Sequence, residues 1–206
     1  MLLSVVRQSQ SVWESIRKIE GIGPLLLRIY LAPIFIQAGY GKLTAFEDTA
    51  AWFGNPDWGL GLPFPELMAA LAGGTELIGG WLLLFGIATR IVTLPLMATM
   101  AVAAWTAHWQ YGWHALPETQ LTVPWEWRMD LIEQANERKE AARSLLQEYG
   151  NYDWLTQAGP ITVLKNGIEF AATYFVMLLM LLFSGAGRYT SVDHWVVEWA
   201  NRQPRP

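Results

Sequence analysis

Four stretches of the chain, residues 22–43, 67–88, 91–108 and 161–183, are long, apolar and nearly free of charge. A helix needs roughly 20 mostly apolar residues to cross the hydrocarbon layer, and in that layer every backbone polar group must be satisfied internally. These runs are too long and too continuous for barrel strands. The expected fold is all-α, an integral membrane bundle of four helices forming one domain over residues 1–206.

Charge distribution sets the expected orientation. Arg7, Arg17 and Lys18 precede the first run, Arg90 sits in the short connection 88–90, and Arg188, Arg202 and Arg205 follow the last run. The loop 44–66 has no Lys or Arg and carries Glu47, Asp48, Asp57 and Glu66. In the insertion 109–160, four basic residues face eight acidic ones, so it too is poor in positive charge. Cytoplasmic loops are enriched in Lys and Arg. Both termini are expected in the cytoplasm, and both long connections outside. Residues 1–20 are interrupted by Arg7, Glu14, Arg17 and Lys18 and do not read as a signal peptide.

The insertion carries a helical stripe of Trp125, Met129, Ile132, Ala135, Ala142, Leu145 and Tyr149. Pro124 suits its start and Gly150-Asn151 its end. An extra amphipathic helix is expected there, against the external face or in the headgroup layer. Val12, Trp13, Ile16 and Ile19 form a shorter stripe of the same kind.

The net charge of −4 and the lack of a basic block give no footprint for nucleic acid. The chain has no cysteine, so disulfide exchange and thiolate metal sites would have to come from another protein. His108 and Glu169, with His114, could be metal ligands only without any local ligand spacing, and no metal is expected. Gly39-Tyr40-Gly41 and Gly185-Ala186-Gly187 read as helix ends. No nucleophile elbow, phosphate loop or dinucleotide fingerprint is present.

The second run is rich in small residues. Ala69, Gly73 and Gly80 share a helical face with Glu76, which should therefore point into the bundle near mid-depth. An unpaired carboxylate there costs ~2.5–3.5 kcal/mol, so Glu76 must be protonated, paired or wet. Arg28 is the expected partner, in an intramembrane ion pair, with Lys42 the alternative. The pair could fix helix register or handle protons.

Toward the outer end, Gln37 and Lys42 close the first run, His108 closes the third, and Asn166 and Glu169 open the fourth. These five are expected to face inward and converge on one pocket, either a wet vestibule or a site for a small ligand with a quinone-like headgroup.

Several stretches resemble the DoxX family of small bacterial membrane proteins. They are Leu25-Leu26-Leu27-Arg28 with Phe35, Gly39, Gly41, Lys42 and Leu43; the run from Glu76 to Arg90; and the run from Gly185 to Asp193. Gly150 to Thr156, ahead of Asn166-Gly167-Ile168-Glu169-Phe170, is similar to a subgroup with a long external insertion. The resemblance implies an inner-membrane protein. Family members include a subunit of a thiosulfate:quinone oxidoreductase and a partner in a membrane thiol-redox complex; most have no assigned activity. It thus implies a membrane subunit of a redox-linked system, with quinone as the cofactor to test, and the amphipathic insertion 109–160 points to a protein partner on the external side. The alternatives are a non-enzymatic scaffold for a partner and a small transporter. Enzymatic activity and homo-oligomer formation stay open at this point.

Overall fold

The computed structural model describes residues 19–116, 121–162 and 165–203. The described residues contain helices and no strand. The stripe Val12, Trp13, Ile16 lies outside them. The helices are α1 (Ile22–Thr44), α2 (Phe46–Gly54), α3 (Pro65–Phe85), α4 (Thr89–Ala103), α5 (Met129–Tyr149), α6 (Tyr152–Leu155), α7 (Glu169–Ser184) and α8 (Val192–Arg202). A π-helical turn, Ala104–His108, and a 3-10 turn, Trp109–Tyr111, prolong α4. The chain divides into two compact units, Met1–Thr99 with Tyr174–Pro206, and Met100–Thr173.

Three helical stretches, Ile22–Thr44, Pro65–Phe85 and Thr89–Tyr111, are long and apolar enough to cross a membrane. Their exposed residues include Leu26, Ile29, Leu71, Ile78, Ile91 and Leu94. Such surfaces suit lipid rather than water. The fourth expected span is shorter than the sequence suggested. Residues 161–162 and 165–168 are not helical, and α7 has 16 residues, about 24 Å at 1.5 Å per residue. The cause is Asn166-Gly167, a turn signal inside an apolar run. Asn166 takes a left-handed φ of 65°, and a Cβ on Gly167 would fall 2.4 Å from the His114 carbonyl oxygen.

In the first unit α3 is the central helix, as its small residues suggested. A Cβ on Gly39 of α1 would lie 2.3 Å from the Leu77 nitrogen, so α1 and α3 touch backbone to backbone. Gly80 meets Ala32 and Ile36 of α1, while Gly79 meets Leu96 of α4. Ala69 packs with Ala50 and Phe53 of α2 in the buried core.

The turn from α3 to α4 gathers chain from three places. The guanidinium of Arg28, 0% exposed, donates to the carbonyls of Leu83 and Leu84 at 3.3 Å and of Thr190 at 2.7 Å. Asp193 accepts from the Ala88 and Thr89 N–H groups at 2.6 and 2.9 Å. The last carbonyls of α3 and the first N–H groups of α4 are the groups a helix cannot satisfy itself. Each end thus receives a charge of the sign its dipole favours. Gly86, at φ 66°, leaves the needed space, since a Cβ there would overlap an Arg28 nitrogen. Thr190 also donates to the Gly21 carbonyl at 3.3 Å. The start of α1 and the segment leading into α8 therefore meet at the α3–α4 turn.

In the second unit α5 starts at Met129 rather than near Pro124, and ends at Tyr149, ahead of Gly150 as expected. Ile132 is buried, whereas Met129, Leu145 and Tyr149 of the same stripe are exposed. Asn151 caps α6 by accepting from the Trp154 N–H at 3.3 Å.

Candidate functional site

Glu76 is 4% exposed, and its partner is Lys42, with Nζ 2.6 Å from Oε2. The expected Arg28–Glu76 pair is not formed. The reason is register. Gly39 packs beside Gly73 and Leu77, and Arg28 beside Leu83 and Leu84, so Glu76 lies near the level of residues 38–40. Arg28 is about ten residues away along α1, roughly 15 Å, beyond a side chain's reach. Lys42 is about one turn away. The Lys42 side chain is a quarter exposed, so it reaches the surface while the Glu76 side chain is enclosed.

The five residues expected at the outer end fall in both units. Gln37 and Lys42 belong to the first; His108, Asn166 and Glu169 belong to the second. Gln37 is exposed, contrary to the inward-facing expectation. Asn166 is exposed too, and its φ of 65° is the reason an Asn suits the position, because Asn tolerates the left-handed region. It works through its backbone, whose carbonyl oxygen lies 2.8 Å from His108 Nδ1.

A carbonyl only accepts, so Nδ1 of His108 must carry the proton. In the neutral ring, Nε2 is then left with its lone pair. The π-helical turn Ala104–His108 delivers this imidazole. Such turns are rare and are frequently found at functional sites. Trp105 and Trp109 meet nearby in a tilted pair at 5.2 Å between ring centroids, and Trp109 stacks on Trp127 at 4.7 Å. Trp127 donates through its indole nitrogen to the Trp109 carbonyl at 3.2 Å. Trp105 and Trp109 are exposed, a setting typical of the membrane–water boundary.

Glu169 accepts from the Ala115 N–H at 3.0 Å. It helps bind two strands of irregular backbone together. Lys165 and Asn166 donate their N–H groups to Ala115, Gly167 to His114, Ile168 to Gly112 and Glu169 to Trp113, all at 2.9–3.2 Å. The opposite edge of residues 113–114 is held by Glu126, a residue to which the sequence pointed only faintly. Glu126 accepts from the N–H groups of Trp113 at 3.2 Å and Arg128 at 2.8 Å, and from the Lys165 ammonium at 2.7 Å. Its side chain is fully buried, as nearly are those of Lys165 and His114. Burial alone would raise the Glu126 carboxyl. The Lys165 hydrogen bond and the Arg128 and Trp113 N–H groups outweigh it and hold the pKa at about 2. His114 Nε2 stands 4.0 Å from Glu126 and 3.4 Å from the Thr122 hydroxyl. The acid between Trp125 and Trp127 was the available hint, but Lys165 was hidden because its segment read as membrane helix. Among the described residues no cluster of His, Asp and Glu could hold a metal.

The family model described as DoxX matches residues 23–109. These residues are a DoxX domain. It covers α1 to the turn carrying His108, and includes Arg28, Lys42, Glu76 and Thr89. Glu126, Lys165, Glu169 and Asp193 follow the matched DoxX segment in the chain. Among curated proteins, the chain is 42% identical over 79 residues to "Putative oxidoreductase CatD" of Bacillus subtilis (strain 168), covering 38% of this chain and 54% of that protein. It is 33% identical over 78 residues to "Inner membrane protein YqjF" of Escherichia coli (strain K12), covering 38% and 55%. The chain thus spans about half the length of the curated relatives it matches. No solved structure matches. A DoxX domain with three helices long and apolar enough to cross a membrane makes this a membrane protein.

Proposed function

We propose that this chain is the membrane subunit of a redox-linked system and that it binds a quinone-like headgroup at His108. The observation carrying the reading is the fixed tautomer of His108. With Nδ1–H given to the Asn166 carbonyl, Nε2 can accept a hydrogen bond, and then a proton, from a quinol hydroxyl. Trp105 and Trp109 supply aromatic surface where a ring and its isoprenoid tail would enter from lipid. One relative carries an oxidoreductase name, which supports the class of reaction. A quinol oxidised here would give its electrons to an acceptor such as a disulfide, which would belong to a partner protein because this chain has no cysteine. Asn166, Glu169, Glu126 and Lys165 act by holding the backbone against which His108 is oriented. Gln37 takes no part, and the Lys42–Glu76 pair serves the bundle.

In this reading the termini are cytoplasmic and the insertion external, following the Arg and Lys bias. A native mass spectrum of the purified protein tests the proposal. Copurified quinone is the expected result. A stable complex with a partner and no small ligand would instead support the scaffold reading, which the exposed Met129, Leu145 and Tyr149 of α5 favour.

A further inference from the structure

We infer that α8 lies in the plane of the bilayer, at the boundary between headgroups and acyl chains, with its apolar stripe in lipid. The depth of α8 follows from the helices that anchor it. Pro65–Phe85 and Thr89–Tyr111 are each about 31–35 Å long, close to one hydrocarbon thickness. The turn joining them must then sit at a membrane surface. Asp193, the second residue of α8, grips that turn through the Ala88 and Thr89 N–H groups, and its own N–H donates to Gly86 at 2.9 Å. Ser191 caps the helix by accepting from the His194 N–H.

From this anchor the sequence builds a two-sided helix. Val192, Trp195, Val196 and Trp199 follow the i, i+3, i+4, i+7 spacing of one face. Trp195 is 55% exposed, Val196 56% and Trp199 65%, so the described protein leaves the face uncovered. His194 and Asn201 lie on the opposite side with the exposed Val197, and Glu198 and Arg202, paired at 3.0 Å, flank the stripe. Two tryptophans on the apolar stripe suit that boundary, where amphipathic rings sit at headgroup level; the Trp195 indole N–H donates to the Tyr189 carbonyl at 3.3 Å. Phe85, Ile91 and Phe183, at the helix ends beside the turn, are exposed as well, so the stripe continues the lipid-facing surface of the spans. The occupant that fits is the phospholipid of the same bilayer.

The chain contains no cysteine, so single labels are unambiguous. Full-length variants Val192→Cys, His194→Cys, Val196→Cys, Glu198→Cys, Trp199→Cys and Asn201→Cys would be spin-labelled and reconstituted in phospholipid vesicles. Collision with oxygen, which partitions into lipid, is compared with collision with a water-soluble nickel chelate. Oxygen should dominate at 192, 196 and 199 and the chelate at 194, 198 and 201, alternating with a period of about 3.6 residues. High chelate access at all six positions would overturn the inference by placing α8 in water. Low access to both reagents at 196 and 199 would also overturn it, because the stripe would then be covered by protein; spin–spin broadening would identify a second copy.

Discussion

Among single residues, Lys42 and Glu76 carry the largest electrostatic liability of the spans. A carboxylate that is 4% exposed survives there because an ammonium sits 2.6 Å away. Lys42→Met would strand it, at a cost of ~3–5 kcal/mol if it stayed ionised. Combining Lys42→Met with Glu76→Gln should restore part of that loss in thermal unfolding in detergent. Combining Arg28→Met with Glu76→Gln should be additive, since Arg28 answers to helix carbonyls instead. Glu126 gives a pH test. Its pKa is depressed from an ordinary 4.5 to about 2. The stabilisation is therefore complete above about 4.5 and fades as pH falls toward 2. Hydrogen exchange at residues 112–116 should be flat from neutral pH down to about 5, after correction for intrinsic rates, and protection should drop below it. Lys165→Met should erode that protection even at neutral pH, by leaving a buried carboxylate short of its cation.

At the scale of elements, α1 and α3 are held by glycine. Gly39→Leu should separate them, because even a Cβ would collide with the backbone of Leu77. A loss of more than ~3 kcal/mol is expected in thermal unfolding, whereas Gly23→Ala, in open space within α1, should gain up to ~1 kcal/mol of helix propensity. These helices were legible in the sequence, because length, apolarity and a small-residue face each speak locally. Which of Arg28 and Lys42 pairs with Glu76 was not, because inter-helix register is a property of two segments and is set by which glycines meet. Nor was the end of the fourth run. Asn166 and Gly167 announce a turn, yet the surrounding Ile161, Val163, Leu164, Ile168 and Phe170 look like one span. Asn166→Gly should be tolerated, while Asn166→Val should loosen the backbone that orients His108. Hydrogen exchange across 165–169 reads the difference.

For the molecule as a whole, residues 19–21 and 187–193 meeting at the α3–α4 turn means that the chain enters α1 and leaves α7 at one end of the first unit. Reporter fusions after Pro206 and within residues 130–145 should report opposite sides, with the cytoplasmic signal at Pro206. The membrane class was readable from the whole chain, whereas the candidate site was readable only in part. His108, Asn166 and Glu169 were expected at a ligand site; the Asn166 carbonyl and the Glu169 carboxylate hold local backbone and ring contacts, and Glu126 was not singled out. Buried polar groups outside a membrane leave no periodic trace, and a backbone carbonyl has no residue type by which to announce itself. The central claim concerns His108 Nε2, and the most direct measurement is a quinol titration of the protein in nanodiscs. Wild type should bind saturably, and His108→Gln, which keeps a donor for the Asn166 carbonyl but has no ring base, should bind about tenfold more weakly. Equal affinity in the two proteins, or no saturable binding to wild type, would contradict the account.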